Sequence, residues 1–214
     1  MNQTQTVMAQ MSCFYESKPN SYGTDVRSYS SPSLLIPSND GTHELGFKPL
    51  TQKAAERGRC RSRPSVTLKG DVDGILKARI FISSTVAKSL GVFTIAIMET
   101  PFNQATELDL FVVNLLDRTR NKQVVKSGQP FKAGSIDLDK LEEKWITVEM
   151  TKKKNKCESV FKTDSGLELA RFKNLEYKLG LNNTIVVNAR SDFYSPNKLS
   201  DSMIKIASIS WKQL

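Results

Sequence analysis

Apolar and polar residues alternate in short runs along most of the chain, and the period is that of β-strands. Leu76 to Ile82 carries an apolar residue at every second position, and Val92 to Met98 gives Phe93, Ile95 and Ile97 one face. Ile146, Val148 and Met150 alternate with Trp145, Thr147 and Glu149 in the same way. Leu108 to Leu116 is different: a run of mostly Val, Leu and Phe without Gly or Pro, closed by Asp117 and followed at once by Arg118 and Arg120. Such a run predicts a strand covered on both faces, at the centre of a sheet sandwich.

Shorter strands are predicted at Val66-Thr67-Leu68, Gln123-Val124-Val125, Val160-Phe161, Leu167 to Phe172 and Thr184 to Arg190. Asp164-Ser165-Gly166 marks a hairpin turn. At the C-terminal end Ile204 and Ile206 share a face and then Ile209 and Trp211 do; the one-residue slip between the pairs predicts a bulge. Two helical pieces are expected, one turn within 84–91 and a short helix over 137–144, where Asp139 and Glu142 have capping-box spacing. About eight or nine strands at this spacing predict an all-β fold, an antiparallel β-sandwich or jelly roll.

Composition divides the chain. Hydrophobic residues make up only 39% of the 214, so a polar segment dilutes an ordinary core. Residues 1–52 are that segment: rich in Ser, Asn, Thr, Gln, Pro and Tyr, near neutral, and expected to form a disordered arm. Residues 53–64 read as a basic hinge and 65–214 as the sandwich domain. The three cysteines, Cys13, Cys60 and Cys157, have neither disulfide nor metal-ligand spacing. No run approaches the roughly 18 apolar residues of a membrane helix, and residues 1–10 lack the pattern of a signal peptide. An intracellular, unsecreted protein is therefore expected.

Charge then points to a partner. The net charge is +9, with a pI near 9.5, which favours polyanions. Between Lys53 and Lys69 six cations face Glu56 alone, and Arg59, Arg61 and Arg63 alternate so that an extended chain lines them up beside Arg57. Further cations fall in predicted loops, at Arg118, Arg120 and Lys122 and at Lys152, Lys153, Lys154 and Lys156. Together they predict a surface for single-stranded RNA that holds phosphates without reading bases.

Catalytic parts are sparse. The single histidine, His43, lies in the expected arm, and no phosphate-binding glycine loop or H-E-x-x-H motif occurs. Asp71-Val72-Asp73-Gly74 begins like a calcium loop but nothing completes it, so it reads as a turn. No cofactor, metal or small-molecule substrate is expected, and the chain reads as a binding protein rather than an enzyme.

The order of elements resembles the thirty-kilodalton superfamily of plant-virus movement proteins. The residues that carry the resemblance are Phe93 to Ile97, the strand ending Leu115-Leu116-Asp117 as an L-x-D signature followed by cations, Ser135 to Leu138, Ile185 to Val187, and Ile209-Ser210-Trp211. It spans about 66–211. The resemblance implies a jelly-roll-like domain that binds single-stranded RNA and carries a viral genome through plasmodesmata. It also implies contact with host membranes or plasmodesmal proteins, and self-association. It places the protein in the host cytoplasm and at cell-wall plasmodesmata, and gives Leu115 and Asp117 a structural role. The alternative from the same features is a virion structural protein, a matrix protein or jelly-roll capsid of an RNA virus.

Overall fold

In a computed structural model the described residues are 4–6, 11–17, 26–28, 35–37, 43–46, 56–62, 66–84, 91–101, 104–117, 122–129, 133–191 and 203–214. In chain order the strands are β1 Thr4–Thr6, β2 Met11–Ser17, β3 Val26–Ser28, β4 Leu35–Pro37, β5 His43–Gly46 and β6 Glu56–Ser62. Then come β7 Thr67–Lys69, β8 Gly74–Ile82, β9 Gly91–Glu99, β10 Leu108–Asp117, β11 Lys122–Gly128 and β12 Gly134–Asp137. The last are β13 Trp145–Lys153, β14 Lys156–Thr163, β15 Glu168–Glu176, β16 Asn182–Ser191 and β17 Met203–Gln213.

These strands form two sheets. One runs β15-β14-β13-β8-β17-β5-β4 with β1 added on β17, and the other β12-β11-β10-β9-β16-β6-β2-β3 with β7 added on β16. All the pairings between these strands are antiparallel. The expected all-β antiparallel sandwich is the observed fold. Strands outnumber the eight or nine expected, partly because the polar N-terminal segment also supplies them. Where 1–52 is described it is extended and paired, β2 with β6 and β5 with β17; the rest of that segment lies outside the described residues.

Period-two alternation is what builds the core. Leu76, Ala78, Ile80 and Ile82 of β8, and Ile146, Val148 and Met150 of β13, point between the sheets to meet Phe93, Ile95 and Ile97 of β9. Trp211, Phe111 and Phe161 are among the largest fully buried side chains, each contributing about 1.5–3 kcal/mol by leaving water. Ser127 on β11 bridges the layers, donating to the Leu110 carbonyl at 2.6 Å and hydrogen-bonding Ser159 on β14 at 2.8 Å. β10 lies between β9 and β11 and is buried from Leu108 to Val113, as a strand covered on both faces should be. The predicted slip in the last strand is present as a register shift between Ile206 and Ser208 against β8.

One expected helix is corrected. Residues 137–144 hold only a 3-10 turn, Leu138–Lys140, and Asp137 at its N-cap makes no side-chain cap hydrogen bond. So few residues cannot offset the cost of nucleating an α-helix. Instead Leu138 and Leu141 drop into the core, and β13 begins almost at once. Of the turn expected within 84–91, residues 85–90 lie outside the described residues.

Candidate functional site

The two sheets have two ends, and register shows which groups share one. Ile97 pairs with Leu108 and Glu99 with Asn183, so β9 ends where β10 and β16 begin. Gly74 pairs with Lys152, and Asp71, just before β8, accepts the Leu179 N–H at 2.8 Å. The β13–β14 turn therefore sits at this same end. Asp117 and Lys122, which pair with each other, lie at the other end of the sandwich.

This topology separates the predicted phosphate contacts. Lys153, Lys154 and Lys156 are exposed at the first end. Lys122 is at the opposite end and in the other sheet, 3.4 Å from Asp137. Arg57, Arg59 and Arg61 lie on β6, where Arg59 pairs with Arg190 and Arg61 with Asn188; their side chains, with Arg63, Arg118 and Arg120, are outside the described residues. Lys152 is not a surface cation: it is 1% exposed, its Nζ is 2.9 Å from Asp71 and 3.5 Å from Asp73, and it donates to the Lys154 carbonyl at 2.8 Å. The calcium-like Asp71–Gly74 stretch is thus a turn that neutralises a buried lysine. Leu115 and Asp117 lie within β10, Asp117 paired with Lys122 and Leu115 with Val124; their side chains too are outside the described residues.

A different group of residues draws attention at the first end. Asp109 pairs with Ala96, and Ala96 clusters with Met98 and Val186 on the face of its sheet turned away from the other sheet. Asp109 is therefore on that outer face. It is 4% exposed, and its Oδ1 has no hydrogen-bond partner among the described residues. Burial raises its carboxyl well above the usual carboxylate range, and the charge of Glu107 pushes the same way. Glu107 stands two residues earlier, half-buried at the rim. The register shift between Asp109 and Phe111 follows immediately, so the strand is locally irregular where its acids sit.

The rim around Glu107 is tightly built. Glu99 accepts the Leu181 N–H at 2.8 Å through Oε1 and the Thr106 hydroxyl at 2.8 Å through Oε2. Buried Asn183 holds the neighbouring turn, accepting the Gly180 N–H at 3.0 Å and donating to the Gly180 carbonyl at 2.8 Å. The Tyr177 hydroxyl donates to the Thr106 carbonyl. Leu181, 79% exposed, projects from this fixed backbone. Chemically, this end places the Glu107 carboxyl two residues before one that burial biases towards its protonated, hydrogen-bond-donating form.

Sequence reasoning passed over Glu99, Glu107 and Asp109. One signal was present: Glu107-Leu108-Asp109-Leu110 puts two acids at alternate positions, hence on one face, within an apolar strand. Glu99 gave no such signal, because its partner Leu181 is 82 residues away.

No protein-family model matches the sequence, and no curated protein is significantly similar to it. Solved structures do share its fold. LamA from Zobellia galactanivorans, in complex with laminaritriose and laminaritetraose, matches with a TM-score of 0.54 at 12% identity over 94% of this chain and 92% of that one. An immunostimulatory antigen and pseudo β-1,3-glucanase of Mycobacterium tuberculosis matches with a TM-score of 0.53 at 10% identity, over 82% and 76%. Arcelin-5, a lectin-like defence protein from Phaseolus vulgaris, matches with a TM-score of 0.51 at 10% identity, over 84% and 89%.

These folds overturn the viral reading. The resemblance to movement proteins rested on a short L-x-D pattern within a run of β-strands, and the solved structures that match are glucanase-like and lectin-like proteins. The genome-transport function and the virion alternative are corrected with it. The expectation that the chain is not an enzyme is corrected as well. It rested on the lack of a histidine for nucleophilic catalysis, whereas glycoside hydrolases, which share this fold, work through paired carboxyl groups.

Proposed function

We propose that this protein binds a neutral, β-linked glucan at the Glu107 rim of its nine-stranded sheet. The observation that carries the reading is Asp109, a buried acid on the outer sheet face two residues after Glu107, with an oxygen left without a partner among the described residues. Glu99, Glu107 and Asp109 gather on the nine-stranded sheet's side of this end, whereas the exposed Lys153, Lys154 and Lys156 belong to the β13–β14 turn of the other sheet, and carboxyl groups suit a polyol. Sugar hydroxyls donate to a carboxylate and bring no charge that must be neutralised. The fold supports the same class of ligand, since similar structures include a LamA complex with laminari-oligosaccharides and a lectin-like protein.

A second reading, cleavage of the glycosidic bond, is favoured by the same pair. Retaining and inverting hydrolysis both use one protonated and one ionised carboxyl group, and burial biases Asp109 towards the protonated form. Affinity electrophoresis in gels containing laminarin, alongside an assay for new reducing ends, separates the two readings. Retardation without reducing ends supports binding, and retardation with them supports cleavage. Loss of either in Glu107→Gln assigns it to this rim. No retardation and no release from laminarin or mixed-linkage glucan would overturn both.

A further inference from the structure

We infer that Glu99 and Tyr177 are positioning residues for Glu107, acting together through Thr106; the inference rests on the glucan-binding reading and specifies how that rim is set. Thr106 is the residue immediately before Glu107 and closes the 3-10 turn Gln104–Thr106. It is held from two sides. Its hydroxyl donates to Glu99 Oε2 at 2.8 Å, and its carbonyl accepts from the Tyr177 hydroxyl. Holding Thr106 at its side-chain hydroxyl and at the carbonyl of the peptide that leads into Glu107 restrains the backbone from which the Glu107 side chain leaves.

The two arms of this clamp come from different layers. Glu99 ends β9 in the nine-stranded sheet, while Tyr177 follows β15 of the eight-stranded one and donates its own N–H to the Asn155 carbonyl at 2.9 Å. Tyr177 is 4% exposed with its ring in the main core, so its hydroxyl is aimed by packing. The rim is thereby referenced to both sheets at once. The remaining oxygen of Glu99 takes the Leu181 N–H at 2.8 Å, so one carboxylate ties the Glu107 segment to the 177–183 segment that displays Leu181. Gly180 belongs to the same device: a Cβ there would overlap the Glu99 carboxylate. Glycine there lets the carboxylate keep this position without moving aside.

The test uses the full-length chain and the variants Tyr177→Phe and Glu99→Gln, with Phe161→Leu as a core control away from the clamp. Tyr177→Phe removes one hydroxyl, keeps the ring and changes no charge. Two quantities are read: the midpoint of the Asp109 carboxyl titration by carbon-13 NMR, and the dissociation constant for laminaritetraose. The first needs no ligand and reports, after the burial of Asp109 itself, how close the Glu107 charge stands. Both clamp variants are expected to lower the Asp109 midpoint and to weaken laminaritetraose roughly five- to tenfold, the worth of about one hydrogen bond. Phe161→Leu is expected to lower thermal stability and leave both quantities unchanged. An Asp109 titration that neither clamp variant moves, with stability reduced as in the control, would overturn the inference. A shifted titration in a protein that binds no glucan would keep the clamp and remove the glucan reading instead.

Discussion

Replacing Asp109 by asparagine changes the pH dependence of stability in a direction the structure dictates. In the unfolded chain an aspartate titrates near 3.9; in the folded protein burial, and secondarily Glu107, holds the carboxyl well above that range. A raised carboxyl stabilises the fold fully below the unfolded value, and the contribution is lost as pH rises through the folded value. Across that window the native state binds the extra proton, so each pH unit removes about 1.4 kcal/mol. At 4% exposure little solvent screening reduces this slope. The carboxamide of the Asp109→Asn variant cannot ionise and so lacks this dependence, although a buried amide adds a pH-independent penalty of about 1–3 kcal/mol where it finds no partner. The slope is therefore the readout, not the offset. Urea denaturation of both proteins from pH 4 to pH 8 should show Asp109→Asn gaining on the parent as pH rises. By about 2–4 °C of midpoint per kcal/mol for a chain of this size, thermal melts should show the same convergence and crossing. Parallel curves over the whole range would refute the reasoning, because they would mean that Asp109 titrates as an exposed acid.

Other consequences concern the framework of the site. Lys152→Ala strands Asp71 and Asp73 and should destabilise by about 2–4 kcal/mol in urea denaturation, while Lys152→Met, which keeps the volume, should cost clearly less. The discount below a fully buried pair reflects the partly exposed carboxylates, 25% and 34%. Gly74→Ala would drive a Cβ into the Trp211 ring and should cost about 1–3 kcal/mol of stability. The Cys157 thiol, 1% exposed and pushed up to about 12 chiefly by burial, should stay unreactive to a thiol reagent at pH 8 until the protein unfolds, as timed by coupled unfolding and labelling.

The fold was legible because alternation acts locally. Leu76 to Ile82 and Ile204 to Trp211 declare their inward faces without reference to any partner, and even the bulge in β17 follows from a single change of parity. Lys152 shows both the reach and the misuse of that logic. Its neighbours Lys153, Lys154 and Lys156 suggest an exposed cationic turn, yet Ile146, Val148, Met150 and then residue 152 share one parity along β13. The same rule that buries the three apolar residues turns Lys152 inward, and Asp71 and Asp73 make its burial tolerable. The site was less legible for two reasons. Net charge averages over the chain, so an excess of +9 hides three acids, Glu99, Glu107 and Asp109, that the strand register brings to one end of the nine-stranded sheet. The Thr106 clamp joins residues 71 apart, a contact fixed by strand pairing and coded in no local spacing.

The central claim is that the Glu107 end of the nine-stranded sheet receives a neutral glucan. Titrating laminaritetraose into isotopically labelled protein and following the backbone amides tests it most directly. Saturable shifts should gather at 105–109 and 180–184, and Glu107→Gln should weaken them. Absence of saturation at millimolar sugar, or shifts confined to the eight-stranded sheet, would contradict the account.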